Sequence, residues 1–131
     1  LFNVWDRIEE NEFAGSVTRT LAALYAADPP RFMARTPHGH SDTQVIAADL
    51  SRAGFERPPV FETVAARSQA ASASVAAMAY CQGTPLRNEI EARMEPALAE
   101  ATTSCAEALA RQFGDGAVDG KIQAIVVTVE R

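Results

Sequence analysis

Lysine occurs once in this chain of 131 residues, at Lys121, and the formal net charge is −5. Nucleic-acid binding needs clustered Lys and Arg, so nucleic acid is not expected as a partner. Cysteine occurs twice, at Cys81 and Cys105, which is too few for a disulfide framework. Both stand in Ala-rich helical surroundings where a free thiol behaves as a small hydrophobe, and a reducing compartment fits. No apolar run approaches the roughly 20 residues that span a bilayer, and no basic segment followed by an apolar stretch marks a signal peptide. A cytoplasmic protein without a membrane partner is expected. Histidine is confined to His38 and His40, two ligands one residue apart with only Asp42 near them, so no metal site is expected.

What the chain does contain is alanine. Hydrophobic residues make up 47% of it, but 26 positions are Ala, which leaves a modest core that still excludes disorder as the main state. The length fits a single domain over residues 1–131, or part of one. Leu1 is not an initiator Met, and Leu1 to Asp6 reads as a strand with no lead-in, so a carboxyl-terminal piece of a longer protein is expected.

Phe13, Val17, Leu21, Leu24 and Tyr25 then recur at helical spacing up to Asp28-Pro29-Pro30. Pro29 to His40, with three prolines and Gly39, reads as a loop. Ser41 and Gln44 form the sequence pattern of a capping box for a helix carrying Val45, Ile46 and Leu50, which Gly54 ends. A strand follows over Pro59 to Arg67, then a helix from Ala70 to Gln82. Thr84-Pro85 restarts a helix with Leu86 and Ile90. Glu95-Pro96 opens one more, whose stripe from Leu98 to Phe113 ends at Gly114. Asp115-Gly116 and Asp119-Gly120 read as turns, and Lys121 to Glu130 as a final strand. That strand, apolar on both sides, calls for cover on both faces. Three strands and about five helices result, an α+β arrangement if taken alone.

The order of elements resembles the carboxyl-terminal half of a class I S-adenosylmethionine-dependent methyltransferase of the small-molecule group (type 11, or ubiquinone/menaquinone-biosynthesis-like). "AGFERPPVFETVA" and "AYCQGTPLRNEIEAR" are the passages most similar to that family, in particular to its bacterial members. The resemblance implies an α/β, Rossmann-like sheet in which the last strand inserts antiparallel between the other two, with helical insertions over residues 11–27 and 70–113. It also implies a methyl acceptor bound on this half, and a cofactor held by glycine-rich and acidic elements that would lie upstream of Leu1. No S-adenosylmethionine is therefore expected on this chain alone.

The candidates for chemistry are few, and each has a structural alternative. His38 or His40 could act as a general base near neutral pH, or simply be loop polarity. Trp5 and Asp6 stand at the carboxyl end of the first strand, the edge where open α/β sheets bind ligands. Trp5 would then meet substrate and Asp6 the cofactor; otherwise one packs under a helix and the other begins a turn. Tyr80, Cys81, Gln82, Thr84 and Arg87 cluster at a helix joint, where Tyr80 and Arg87 could orient an acceptor. Equally, the joint is a turn and cap, with Arg87 paired to Glu91. Phe13, Leu21, Leu24, Phe32, Met33 and Met78 could line an acceptor pocket or fill the core. Cys81 and Cys105 read as core thiols. Two other classes of function compete with the enzyme fragment: a non-catalytic small-molecule-binding module, and a homodimer that pairs exposed sheet edges.

Overall fold

A computed structural model gives the structure of residues 1–130. Strand β1 (Phe2–Trp5) and strand β2 (Val60–Ala70) form the edges of one sheet, and β3 (Val118–Thr128) lies between them. β3 runs antiparallel to both, with Phe2 opposite Val127, Trp5 opposite Ala124, and Val60 opposite Thr128. The last strand thus takes the central place expected for it. Around the sheet stand α1 (Glu12–Leu24), α2 (Phe32–Arg35), α3 (Thr43–Arg52), α4 (Ala73–Gly83), α5 (Leu86–Glu91) and α6 (Leu98–Phe113), with a 3₁₀ turn at Ile8–Glu10.

Four local expectations are corrected. The segment from Pro29 to His40 is not all loop, because α2 forms within it. Glu89 of α5 accepts from the N–H groups of Arg31 (2.8 Å) and Phe32 (3.1 Å), satisfying donors that so short a helix cannot satisfy itself. Ser41 does not cap α3. Asp42 does, its Oδ1 accepting from Gln44 N at 2.8 Å and Val45 N at 3.4 Å, and a carboxylate suits the positive end of the helix better than a hydroxyl. β2 continues to Ala70, and α4 begins at Ala73 behind Ser72, whose Oγ accepts from Val75 N. Finally, Asp119-Gly120 is ladder and not turn. Gly120 pairs with Ser68, while the Asp119 carboxylate accepts from Arg67 Nε (2.5 Å) and Gln69 Nε2 (2.8 Å) across the strands. Elsewhere the signals hold: Gly54 ends α3 at φ +89°, the left-handed conformation that glycine adopts without strain.

Side chains alternate across β3, and the two faces bury different halves of it. Ile125 and Val127 pack with Ile46 of α3, with Val4 and Phe61 beside them. At the other end and on the other face, Val118 joins the main core of Phe13, Val17 and Leu21 from α1, Leu86 and Ile90 from α5, and Cys105 and Leu109 from α6. Gly120 lies against this core so closely that a Cβ there would sit 2.7 Å from Cε1 of Phe13. Cover on both faces is therefore staggered. The row Trp5, Ala124, Val64, on the face away from α3, stays partly open, with Trp5 42% and Val64 43% exposed. No helix among the described residues is long and apolar enough to cross a membrane.

Candidate functional site

The site begins where β1 ends. Asp6 N donates to Gln123 O at 3.1 Å, continuing the ladder one residue past Trp5. Beside it sits Asn11, only 2% exposed, directly ahead of α1. Its amide does not cap the helix; it stitches backbone. Nδ2 lies 3.3 Å from Asp6 O, 3.1 Å from Arg7 O and 3.4 Å from Gln123 O, while Oδ1 accepts from Gln123 N at 3.1 Å. A buried amide with every hydrogen-bonding atom engaged fixes the local backbone, since any shift would orphan one of them.

His38 reaches this point from the other side. Its backbone N donates to Met33 O at 3.1 Å, which draws the loop back onto α2. Gly39 permits the fold-back, because a Cβ there would lie 2.0 Å from Arg35 O. The ring places Nδ1 2.8 Å from the carbonyl oxygen of Asp6. A carbonyl oxygen can only accept, so Nδ1 carries the proton, and in the neutral form of the ring the lone pair is on Nε2. Nε2 has no partner among the described residues, and no buried side-chain nitrogen or oxygen there is left unpaired. Nε2 therefore keeps some accessible surface, and His38 lines a cavity.

That cavity has a volume of about 340 Å³. Trp5, Phe32, Met33 and Ile122 give it apolar walls, and Pro37, His38, Tyr80, Gly83, Thr84 and Pro85 complete the lining beside Asn11. Among the described residues, no Asp, Glu, Lys or Arg lines it. The Trp5 and His38 rings are 6.1 Å apart and tilted by 46°. Thr84 has its hydroxyl engaged, donating to Tyr80 O (2.7 Å) and accepting from Leu86 N (3.2 Å), so one side chain closes α4 and opens α5. Tyr80 differs. Its phenol has no partner among the described residues, and burial pushes its pKa above the ordinary value, so it stays protonated and able to donate. Three side-chain polar atoms of the lining have no partner among the described residues: Nε2 of His38, Oη of Tyr80 and the indole Nε1–H of Trp5.

Six of the residues singled out in the sequence, Trp5, Phe32, Met33, His38, Tyr80 and Thr84, thus meet in one cavity. Others do not reach it. Phe13 is buried in the core, edge-on to Phe113 at 4.9 Å. Arg87 pairs with Glu91 at 3.0 Å and borders a separate shallow groove with Val75 and Met78. His40 is exposed, its Nε2 3.6 Å from Asp49 Oδ2. The Asp6 carboxylate is occupied, Oδ1 by Arg7 N and Oδ2 by Gln123 Nε2, each at 2.7 Å. Asn11 was not among the residues singled out, since an Asn ahead of a helix reads as a cap and gives no hint of a partner 112 residues away.

Cys81 and Cys105 are both fully buried and free. Their contact and their burial keep the Cys105 thiol protonated, well above its ordinary range. The cofactor implied by the resemblance is not matched by these residues. Both oxygens of the Asp6 carboxylate already accept a hydrogen bond, and among the described residues the cavity lining has no acidic group to hold a ribose. Among the described residues there is also no group of three His, Cys, Asp or Glu that could hold a metal ion. No protein-family model matches the chain, and no curated protein does.

Proposed function

We propose that this chain is the acceptor-binding part of a small-molecule methyltransferase that uses S-adenosylmethionine, and that the cavity between Trp5 and Tyr80 holds the methyl acceptor. The observation that carries this reading is an apolar cavity at the carboxyl end of β1 whose lining includes His38, Tyr80 and Trp5, side chains with polar atoms that have no partner among the described residues. Ligands of open α/β sheets bind at that end. The central, antiparallel place of β3 supports the same reading. An acceptor would lay its apolar body on Trp5, Phe32 and Met33, where each 100 Å² buried is worth about 2.5 kcal/mol. Its hydroxyl or N–H would donate to Nε2, and His38 would take that proton as the acceptor's heavy atom becomes a nucleophile. The resulting imidazolium keeps its Nδ1–H on Asp6 O. General-base help of this kind contributes about 10²–10⁴ in rate.

Trp5 is the one tryptophan in the chain, so its indole N–H gives a single, assignable resonance. Titration with 4-propylphenol is expected to move that resonance saturably. The shift should weaken in His38→Ala and Tyr80→Phe and persist in Arg87→Ala. No saturable change at millimolar probe would remove the cavity from consideration. The methyltransferase part is checked in the coding region ahead of Leu1, where a glycine-rich strand, loop and helix are expected.

A second reading, a dimerisation module, is favoured by the open row of Trp5, Ala124 and Val64, with Val60, on the same face at the start of β2, 66% exposed. Exposed apolar rows beside a free strand edge invite self-association. Sedimentation equilibrium at tens of micromolar separates the two, since a stable 14.0 kDa monomer leaves the pocket as the functional surface.

A further inference from the structure

A neutral imidazole offers at Nε2 either a proton or a lone pair, and a ligand is selected by which it meets. In His38 the choice is made behind the cavity wall. Nδ1 faces the Asp6 carbonyl oxygen at 2.8 Å, so the proton resides there. That oxygen has little freedom. Asp6 N is tied to Gln123 O, Asn11 Nδ2 shares the same Asp6 oxygen at 3.3 Å, and Asn11 Oδ1 accepts from Gln123 N. Asn11 touches the cavity but has spent both ends of its amide on backbone, so it has none left for a ligand.

We propose that Asn11 is a positioning residue that holds His38 in its Nδ1–H form, and that the site therefore selects uncharged ligands which bring a proton, as hydroxyl or N–H, to Nε2. The inference rests on the reading of the cavity as a ligand pocket. Ethers and ketones of the same shape leave Nε2 facing a second acceptor, and among the described residues the lining holds no Lys or Arg for an anion. Tyr80 Oη completes the preference by donating to an acceptor atom elsewhere on the ligand. A buried acceptor left unmatched is penalised more than a matched one is rewarded, so discrimination should exceed that of one surface hydrogen bond.

The test compares two probes of nearly equal shape, 4-propylphenol and 4-propylanisole, by the shift of the Trp5 indole resonance, and reads the His38 tautomer from two-bond ¹⁵N–¹H correlations at about pH 8. In the wild-type chain His38 is expected as the Nδ1–H tautomer, with the phenol bound about tenfold more tightly than the anisole. Asn11→Ser, or Asn11→Ala should that fail to fold, is expected to give a mixture of tautomers and to bring the two affinities within about threefold. An Nε2–H tautomer in the wild type, or equal affinities, overturns the proposal and leaves the pocket reading intact. Binding of neither probe overturns both. A pure Nδ1–H tautomer in the Asn11 variant overturns the role of Asn11, and if both variants fail to fold, the wild-type tautomer and probe ratio still decide the assignment of Nε2.

Discussion

A methyl group added at Gly120 would have no space to occupy. Its carbon would lie 2.7, 3.0 and 3.1 Å from Cε1, Cδ1 and Cζ of Phe13. Carbon atoms rest at about 3.5–4.0 Å, so the ring would have to retreat by up to about 1 Å. Retreat is blocked, because Phe13 is buried and meets Phe113 edge-on at 86°. Overpacking of this kind costs about 1–3 kcal/mol. For a domain of this size that corresponds to a fall in melting temperature of roughly 3–15 °C. Chemical denaturation of Gly120→Ala should show the loss as a lower midpoint with an unchanged slope. Phe13→Leu removes the ring and should itself cost roughly 1–2 kcal/mol through the cavity it leaves. Adding Gly120→Ala to Phe13→Leu should then cost almost nothing, a coupling of about 1 kcal/mol or more. A Gly120→Ala protein within about 0.5 kcal/mol of wild type, or strictly additive losses, would refute the reasoning.

Glu89 links α5 to α2, and with it the Phe32 and Met33 wall of the cavity. Burial pushes its carboxyl upward, but hydrogen bonds from Arg35 and from the N–H groups of Arg31 and Phe32 outweigh this and leave the pKa below the ordinary value. A depressed folded pKa contributes stability that is present above the unfolded value, near 4.3, and fades as pH falls through the folded one. Glu89→Gln should therefore be less stable than wild type at neutral pH, with the gap closing below about pH 4 in urea titrations. Ellman's reagent should find neither Cys81 nor Cys105 reactive in the native protein and both in denaturant, because both thiols are fully buried. Calorimetry should detect no binding of S-adenosylmethionine to this chain alone; a low-micromolar dissociation constant would show that the occupied Asp6 carboxylate had been misjudged.

The elements that periodicity defines were legible in the sequence, and those that depend on distant partners were not. The stripes of α1 and α6 and the stop at Gly54 rest on contacts within a few turns, which spacing displays. α2 is different: its four residues form because Glu89 supplies hydrogen-bond acceptors from 57 and 58 residues away. Gly120 beside Asp119 carries the composition of a turn, and only the approach of Phe13 explains why glycine stands in the middle of a ladder. At the site, position at the end of the first strand nominated Trp5, residue type nominated His38, and a polar cluster at a helix joint nominated Tyr80. Arg87 was nominated with Tyr80 at that joint, and a helix turn carried it to a different surface.

The pairing of β1 with β3 carries a consequence for biosynthesis. Gln123, which accepts from Asp6 and bonds both ends of the Asn11 amide, is made 112 residues after Asn11. Chains emerge from the ribosome in order, so β1, α1 and the His38 loop must wait, unpaired, while α3 through α6 are translated. Until β3 arrives the Asp6 carbonyl has no fixed direction, and the imidazole has no reason to prefer one nitrogen. A ligand present in the cell therefore cannot template this domain as it is being made; it can only stabilise the finished one. Closing the sheet across so many residues also places its formation late in folding, with the apolar edge of β1 exposed in the interval.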